Sequence, residues 1–195
     1  MSGRLLPMKT LLKSLVRGVS LAFAFPGALL CGFGRIRPVF TIFAQHAALV
    51  PGLPGDYFRI AFYRMTLDYC HPESRVQFGS FFSTPNARIS EGVYIGSYCV
   101  LGHADIGERC QIGSAVQILS GANQHPRDEQ GRILGSDKGT FSTVHIGADC
   151  WLGAQAIVIA DVGARTTVGA GSVVISPVPP GAVVMGNPAR IISVS

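Results

Sequence analysis

The sequence predicts a mainly β fold, a parallel β-helix of six-residue repeats, preceded by a helical extension. Three observations carry this. Aliphatic residues return about every six positions at Ile146, Leu152, Val158, Val162, Val168 and Val174. Glycine follows directly at Gly147, Gly153, Gly163 and Gly169. Charge is sparse, at 14% Asp, Glu, Lys and Arg, while glycine numbers 24. A period of six matches neither the helix repeat nor plain strand alternation. It matches a short strand, a corner and a new strand, repeated around a prism. The aliphatic residue then points inward, and the glycine beside it serves a positive φ or a close backbone approach.

Taken in order, residues 1–70 read as an apolar, basic helical extension. Arg4, Lys9, Lys13 and Arg17 are spaced among Leu5, Leu6, Leu11, Leu12, Leu15 and Val16. At helical spacing these make a basic amphipathic helix suited to an anionic membrane surface. Gly18 to Gly34 carries no charge and is interrupted by Pro26-Gly27, at the short limit for a spanning helix. A cleaved signal peptide would want a convincing small-x-small cleavage site, and none stands out. A spanning helix sits poorly with Lys13 and Arg17 before it and Arg35 and Arg37 after it, because both flanks favour the cytoplasmic side. A re-entrant or in-plane helix bent at Pro26 reconciles length, proline and flanks. Packing of these residues on the β-helix or between subunits is the alternative. Pro51 to Gly55, PGLPG, reads as a loop, and Tyr57 to Leu67 as a helix with Arg59 and Arg64 on its polar side.

The repeat region is expected over 71–182, with 183–195 as a C-terminal tail. Further hexad starts fall at Ile89, Ile95, Leu101, Ile106, Ile112 and Ile118. The twelve starts together make about four triangular coils. The hexads at Leu101 and Val158 are short, so their corners are irregular. Between Ile118 and Ile146 lies a polar segment without period, expected as a functional loop over 121–145.

Nine Lys/Arg stand against three Asp/Glu in the first 75 residues, and seven against eight beyond them. Positive charge mixed with apolar runs points to a membrane surface, and no basic run interleaved with aromatics offers a nucleic-acid face. The five cysteines form no CxxC and no metal-type spacing, which favours a reducing, cytoplasmic compartment. Cys99, Cys110 and Cys150 read as small apolar fillers. The loop carries His125, whose neutral imidazole could take a proton from a hydroxyl or amine. Asn123 and Gln124 beside it offer amides able to hold a polar acceptor.

From about Phe78 to Ile192 the chain resembles the hexapeptide-repeat acyltransferases, which include galactoside, maltose, serine and sugar O-acetyltransferases. NQHP in the loop, CWLGAQAIV where the repeat restarts, and VGAGSVV, PVPP and GNPAR at the end carry the resemblance. It implies a left-handed coil, a homotrimer, and acetyl-CoA lying between neighbouring β-helices. His125 matches the catalytic base of that family. Trp151 matches the tryptophan lining the acceptor and pantetheine end. Gly153, Ala154 and Ala170 match positions whose backbone faces the pantetheine arm. Arg190 matches a basic residue near the nucleotide phosphates, where a guanidinium suits phosphate oxygens. Many members carry a basic residue where this chain has Ser176, so its grip on coenzyme A is expected to rest more on Arg190.

The resemblance implies direct acetyl transfer, with His125 as general base and no metal. The expected acceptor is a sugar hydroxyl in surface polysaccharide or glycan synthesis, a lipid-linked one in view of the N-terminal third. Three alternatives stay open. One is N-acetylation of an amino sugar or other small amine. Another is a γ-carbonic-anhydrase-like zinc site using His103, His125 and His145, although a close His pair is missing. The third is a non-catalytic scaffold at the cytoplasmic membrane.

Overall fold

The computed structural model describes residues 5–194, in which three helices are followed by a parallel β-solenoid. Arg4 lies outside the described residues. The inward side chains stack in three columns, one per face. Cys70, Ile89, Ile106, Ile146, Val162 and Val178 line the first face. Val76, Ile95, Ile112, Leu152, Val168 and Val184 line the second. Phe82, Leu101, Ile118, Val158 and Val174 line the third. All twelve expected hexad starts are buried in these columns. Each aliphatic side chain so buried contributes about 1.5–3 kcal/mol.

The solenoid has about six coils rather than four. Its first coil is built on Cys70, Val76 and Phe82, which are followed by His71, Gln77 and Ser83 instead of glycine. Its end runs through Val178 and into the strand Ala182–Met185, to which Arg190–Val194 pairs antiparallel. Within the expected tail, residues 183–185 and 190–194 are thus strand, joined by a turn. Every departure from a spacing of six falls at the corner between the third and first faces. These are the steps Phe82 to Ile89, Leu101 to Ile106, Ile118 to Ile146, Val158 to Val162 and Val174 to Val178. The loop leaves the prism at the one corner that tolerates changes in length.

The hexad glycines serve close approach between coils and not a positive φ. A Cβ on Gly153 would stand 2.4 Å from the backbone nitrogen of Ala170 in the next coil. One on Gly113 would stand 2.6 Å from that of Ala154. Positive φ occurs instead at corner residues such as Tyr98, Arg109, Asp149 and Gln155. The residue after each corner tucks inside, which is where Cys99, Cys110, Cys150 and Ala156 sit.

Helix α1 (Leu5–Leu30) is continuous, α2 spans Arg37–Ala48 and α3 spans Gly52–Thr66. Two expectations fail here. Pro26-Gly27 does not interrupt the first helix, which runs on to Leu30, and Gly27 packs closely on α2, where a Cβ would stand 2.9 Å from the Phe43 ring. PGLPG is not a loop throughout, since Gly52 to Gly55 form the first turn of α3, where a proline loses no helical hydrogen bond.

The three helices cap the first coil. Tyr63 stacks edge-on against Phe82 and accepts the Phe82 N–H at 3.3 Å. Arg59 is fully buried, so its place is not the polar side of the helix. Its guanidinium donates to the carbonyls of Ala47, Val50 and Val76 and to Asp56. Asp56 also accepts from Arg75 of the first coil at 2.7 Å.

Candidate functional site

The segment between Ile118 and Ile146 is an ordered arm. Arg127 and Ile133 form an antiparallel bridge, and the Leu134 N–H donates to the Pro126 carbonyl at 2.8 Å. Asp128 closes the tip, accepting the backbone N–H groups of Gln130 and Arg132 and the Arg132 guanidinium. These bonds hold the Asp128 carboxyl below the usual range, with the Arg132 backbone N–H as the first cause. The Ser142 N–H donates to the Ser120 carbonyl, and Phe141 packs on the His103 ring at 5.5 Å between centroids. Sequence reasoning missed this attachment, since Phe141 is one aromatic in an aperiodic run.

The arm sets the orientation of His125. Its Nδ1 lies 3.3 Å from the Leu134 carbonyl oxygen. A carbonyl can only accept, so Nδ1 carries the proton and the Nε2 lone pair is left to act as a base. Gln124 is tied down through its side-chain N–H to the Gly121 carbonyl at 3.0 Å, whereas Asn123 is exposed. The other histidines have different partners. His103 is half-buried against Phe141, and burial, then the charge of Arg37, pulls its pKa down. His145 lies 3.7 Å from the Asp105 carboxylate. Among the described residues no three His, Cys, Asp or Glu side chains are grouped as a metal site.

The remaining predicted positions lie elsewhere on the solenoid. Trp151 points outward from the second face, 59% exposed, between Gln111 and Thr167. Gly153, Ala154 and Ala170 come together at the next corner, where the Gly171 N–H donates to the Ala154 carbonyl. Ala154 and Ala170 are exposed there, and their small side chains leave room for a narrow ligand, while Gly153 is buried between the coils. Ser176 and Arg190 line one cavity of about 300 Å³ at the end of the solenoid, with Pro177, Ala189 and Ile191. An exposed guanidinium there fits a phosphate-bearing ligand. The structure thus groups Asn123, Gln124 and His125, groups Gly153, Ala154 and Ala170, and groups Ser176 with Arg190. The arm springs from the corner between the third and first faces, and Trp151 stands on the second face.

No family model matches the chain. In sequence it is 41% identical over 111 residues to nodulation protein L of Rhizobium meliloti (strain 1021), covering 54% of this chain and 58% of that protein. It is 32% identical over 116 residues to the bifunctional protein GlmU of Polaromonas naphthalenivorans (strain CJ2), covering 58% of this chain. The chain spans 21% of the length of that relative. Among solved structures it resembles galactoside acetyltransferase in complex with coenzyme A, with TM-score 0.67 at 20% identity over 80% of this chain and 81% of that one. It also resembles the hexapeptide-repeat-containing acetyltransferase VCA0836 of Vibrio cholerae in complex with acetyl coenzyme A. That match has TM-score 0.61 at 24% identity and covers 82% of this chain and 88% of the other. At such identities the structural likeness establishes the fold. The chain is a hexapeptide-repeat β-solenoid, and the proteins it resembles in sequence and in fold include the hexapeptide-repeat acetyltransferases.

Proposed function

We propose that the protein transfers an acetyl group from acetyl-CoA to a sugar hydroxyl, with His125 as general base. The observation that carries this reading is the His125–Leu134 contact, which fixes the tautomer and leaves Nε2 free to accept a proton. Acetyl-CoA supplies the thioester carbonyl. His125 Nε2 takes the acceptor's proton as the new C–O bond forms and the C–S bond breaks, and the proton then passes to the departing thiolate. Gly153, Ala154 and Ala170 would hold the pantetheine arm at their corner, Trp151 would cover its reactive end, and Arg190 with Ser176 would meet the phosphates. Asn123 and Gln124 would position the acceptor.

Because the arm and Trp151 belong to different faces of one prism, the reading has copies of the chain assembling as a homotrimer. The arm of one copy then meets the second face of its neighbour. The same reading places the protein on the cytoplasmic membrane through residues 1–60, acting on a lipid-linked glycan of surface polysaccharide synthesis. The test is coenzyme A release from acetyl-CoA against a panel of free sugars, amino sugars and lipid-linked glycans, with His125→Ala beside the wild type. Acceptor-dependent release reduced at least 100-fold in the variant supports the reading, in line with general base catalysis. Release unchanged in His125→Ala removes His125 from the mechanism.

A further inference from the structure

Helices α1 and α3 leave an open groove of about 920 Å³ between them, lined by Leu12, Val16, Val19, Phe23, Leu53 and Phe58. Around it Leu15, Phe23, Leu49 and Leu53 are 59–74% exposed, an apolar face of the kind that marks an interaction surface. Beside the groove, and sharing Lys13, Leu53 and Tyr57 with it, is a smaller polar cavity lined also by Arg17, Asp56, Glu73 and Arg75. The cations there are only partly used within the chain. Lys13 and Arg17 both donate to the single carboxylate of Glu73, and Arg75 shares Asp56 with Arg59. The Arg17 guanidinium also donates to the Pro72 carbonyl at 3.0 Å, and among the described residues its Nε is buried without a hydrogen-bond partner.

We infer that this groove seats one acyl chain of an anionic phospholipid, with the headgroup phosphate at Lys13 and Arg17, so that α1 lies in the plane of the leaflet. The inference rests on the part of the proposed function that brings residues 1–60 to a membrane, and it names the lipid chemistry and the site. Geometry selects an in-plane helix. Ala24 and Ala28 of α1, and Cys31 just beyond it, are buried against the rest of the chain, and Lys13 and Arg17 are tied to Glu73 of the first coil. One side of α1 is thus committed to the protein, and the exposed side carries Leu11, Leu15 and Phe23. Charge selects the occupant. A second copy seated on the same face would bring two cationic rims together, whereas an anionic lipid surface neutralises them. Lysine and arginine stems can lie along the apolar wall with their charged ends at headgroup level.

The experiment is flotation of the full chain with vesicles of phosphatidylcholine alone or with one third phosphatidylglycerol. It compares wild type, Phe23→Asp and Lys13→Gln, and coenzyme A release with a water-soluble sugar is measured on the same preparations. The expected result is at least tenfold more wild-type protein floating with the anionic vesicles than with the neutral ones. Phe23→Asp should lose flotation on both, and Lys13→Gln should lose most of the preference for anionic lipid. Phe23 is exposed, so its replacement leaves the fold and the transfer to a soluble sugar intact. Wild type remaining unbound, or Phe23→Asp floating equally well, overturns the inference. So does an assembly in solution that Phe23→Asp reduces to a smaller one while no vesicle binds, which would make a second copy the occupant. Flotation as expected with no transfer to any acceptor would sink the proposed enzyme activity and leave the lipid site standing.

Discussion

The Arg59 Nε–H donates to the carbonyl oxygen of Val76 at 2.8 Å, across the boundary between the helical cap and the first coil. The same guanidinium takes the carbonyls of Ala47 and Val50, which close the end of α2 and the turn into α3. Burial pulls its pKa down from the usual arginine value while Asp56 opposes the shift, and an arginine stays charged even so. One side chain thus joins two helices to the solenoid. Arg59→Ala leaves several buried carbonyls and much of the Asp56 charge without a donor. It is expected to cost about 3–5 kcal/mol, read as a lowered midpoint in urea unfolding. Arg64→Ala on the same helix is the control and should change little.

Much of this architecture is legible in the sequence, and the reasons for the gaps are physical. The hexads from Ile89 to Val174 announce themselves because eight of their twelve starting aliphatics are followed by glycine, which satisfies inward packing and coil contact together. The coil at Cys70, Val76 and Phe82 keeps the spacing of six but lacks that pairing, so no glycine marks it. His125 is legible from NQHP, but its partner Leu134 is set by the fold of the arm and by no local pattern. Helical spacing puts Arg59 on a polar side because it shows which residues share a face, not what that face meets. The sequence allows two causes for the hexad glycines, and the neighbouring coil decides for close approach.

That decision makes a pair of substitutions informative. Gly153 has an ordinary φ, yet a Cβ there would meet the Ala170 backbone at 2.4 Å. Gly171 has φ +68° and nothing within 4 Å of an added Cβ. Gly171→Ala should cost roughly 1–2 kcal/mol, the left-handed penalty alone. Gly153→Ala must push two coils apart and is expected to cost more, about 2–3 kcal/mol, as overpacking does. Thermal unfolding of both variants checks the order, and the reverse order would return the hexad glycines to a conformational role.

Glu73 gives the helical cap a pH dependence. Hydrogen bonds from Lys13, then from Arg17, hold its carboxyl below the usual glutamate range. A carboxyl depressed in the folded state lends stability above its unfolded pKa, and that stability is lost as pH falls through the folded value. The clamp on α1 should therefore be complete at neutral pH and released below the ordinary carboxylate range. The carboxylate is 39% exposed, so solvent screening limits the effect to about 1 kcal/mol or less. Amide exchange in residues 10–20 should quicken at acid pH relative to the solenoid core. Glu73→Gln should show the faster exchange already at neutral pH.

The arm can be loosened without touching His125. Phe141 holds its returning end on the His103 ring. Phe141→Ala is expected to speed amide exchange across residues 122–142 while leaving the unfolding midpoint of the solenoid in place. Under the proposed chemistry it should reduce coenzyme A release by about tenfold, less than loss of the base. Equal losses in Phe141→Ala and His125→Ala would mean that His125 acts by shaping the arm and not by taking a proton.

The thiols distinguish direct transfer from a covalent cysteine route. All five cysteines are free and buried, none more than 7% exposed. Burial pushes the Cys70 thiol up to about 12 and raises that of Cys99 as well, whereas the hydrogen bond from Cys110 draws the Cys150 thiol down, at a position only 1% exposed. Thiolate, not thiol, is the nucleophile, so a cysteine route would need one of these groups both ionised and within reach of a thioester. Native protein mixed with Ellman's reagent at pH 7.5 should release almost no chromophore over minutes. All five thiols should react once guanidinium unfolds the chain. Rapid reaction of one thiol in the native state, abolished together with coenzyme A release by the same Cys→Ser variant, would replace the His125 mechanism with an acyl-enzyme one.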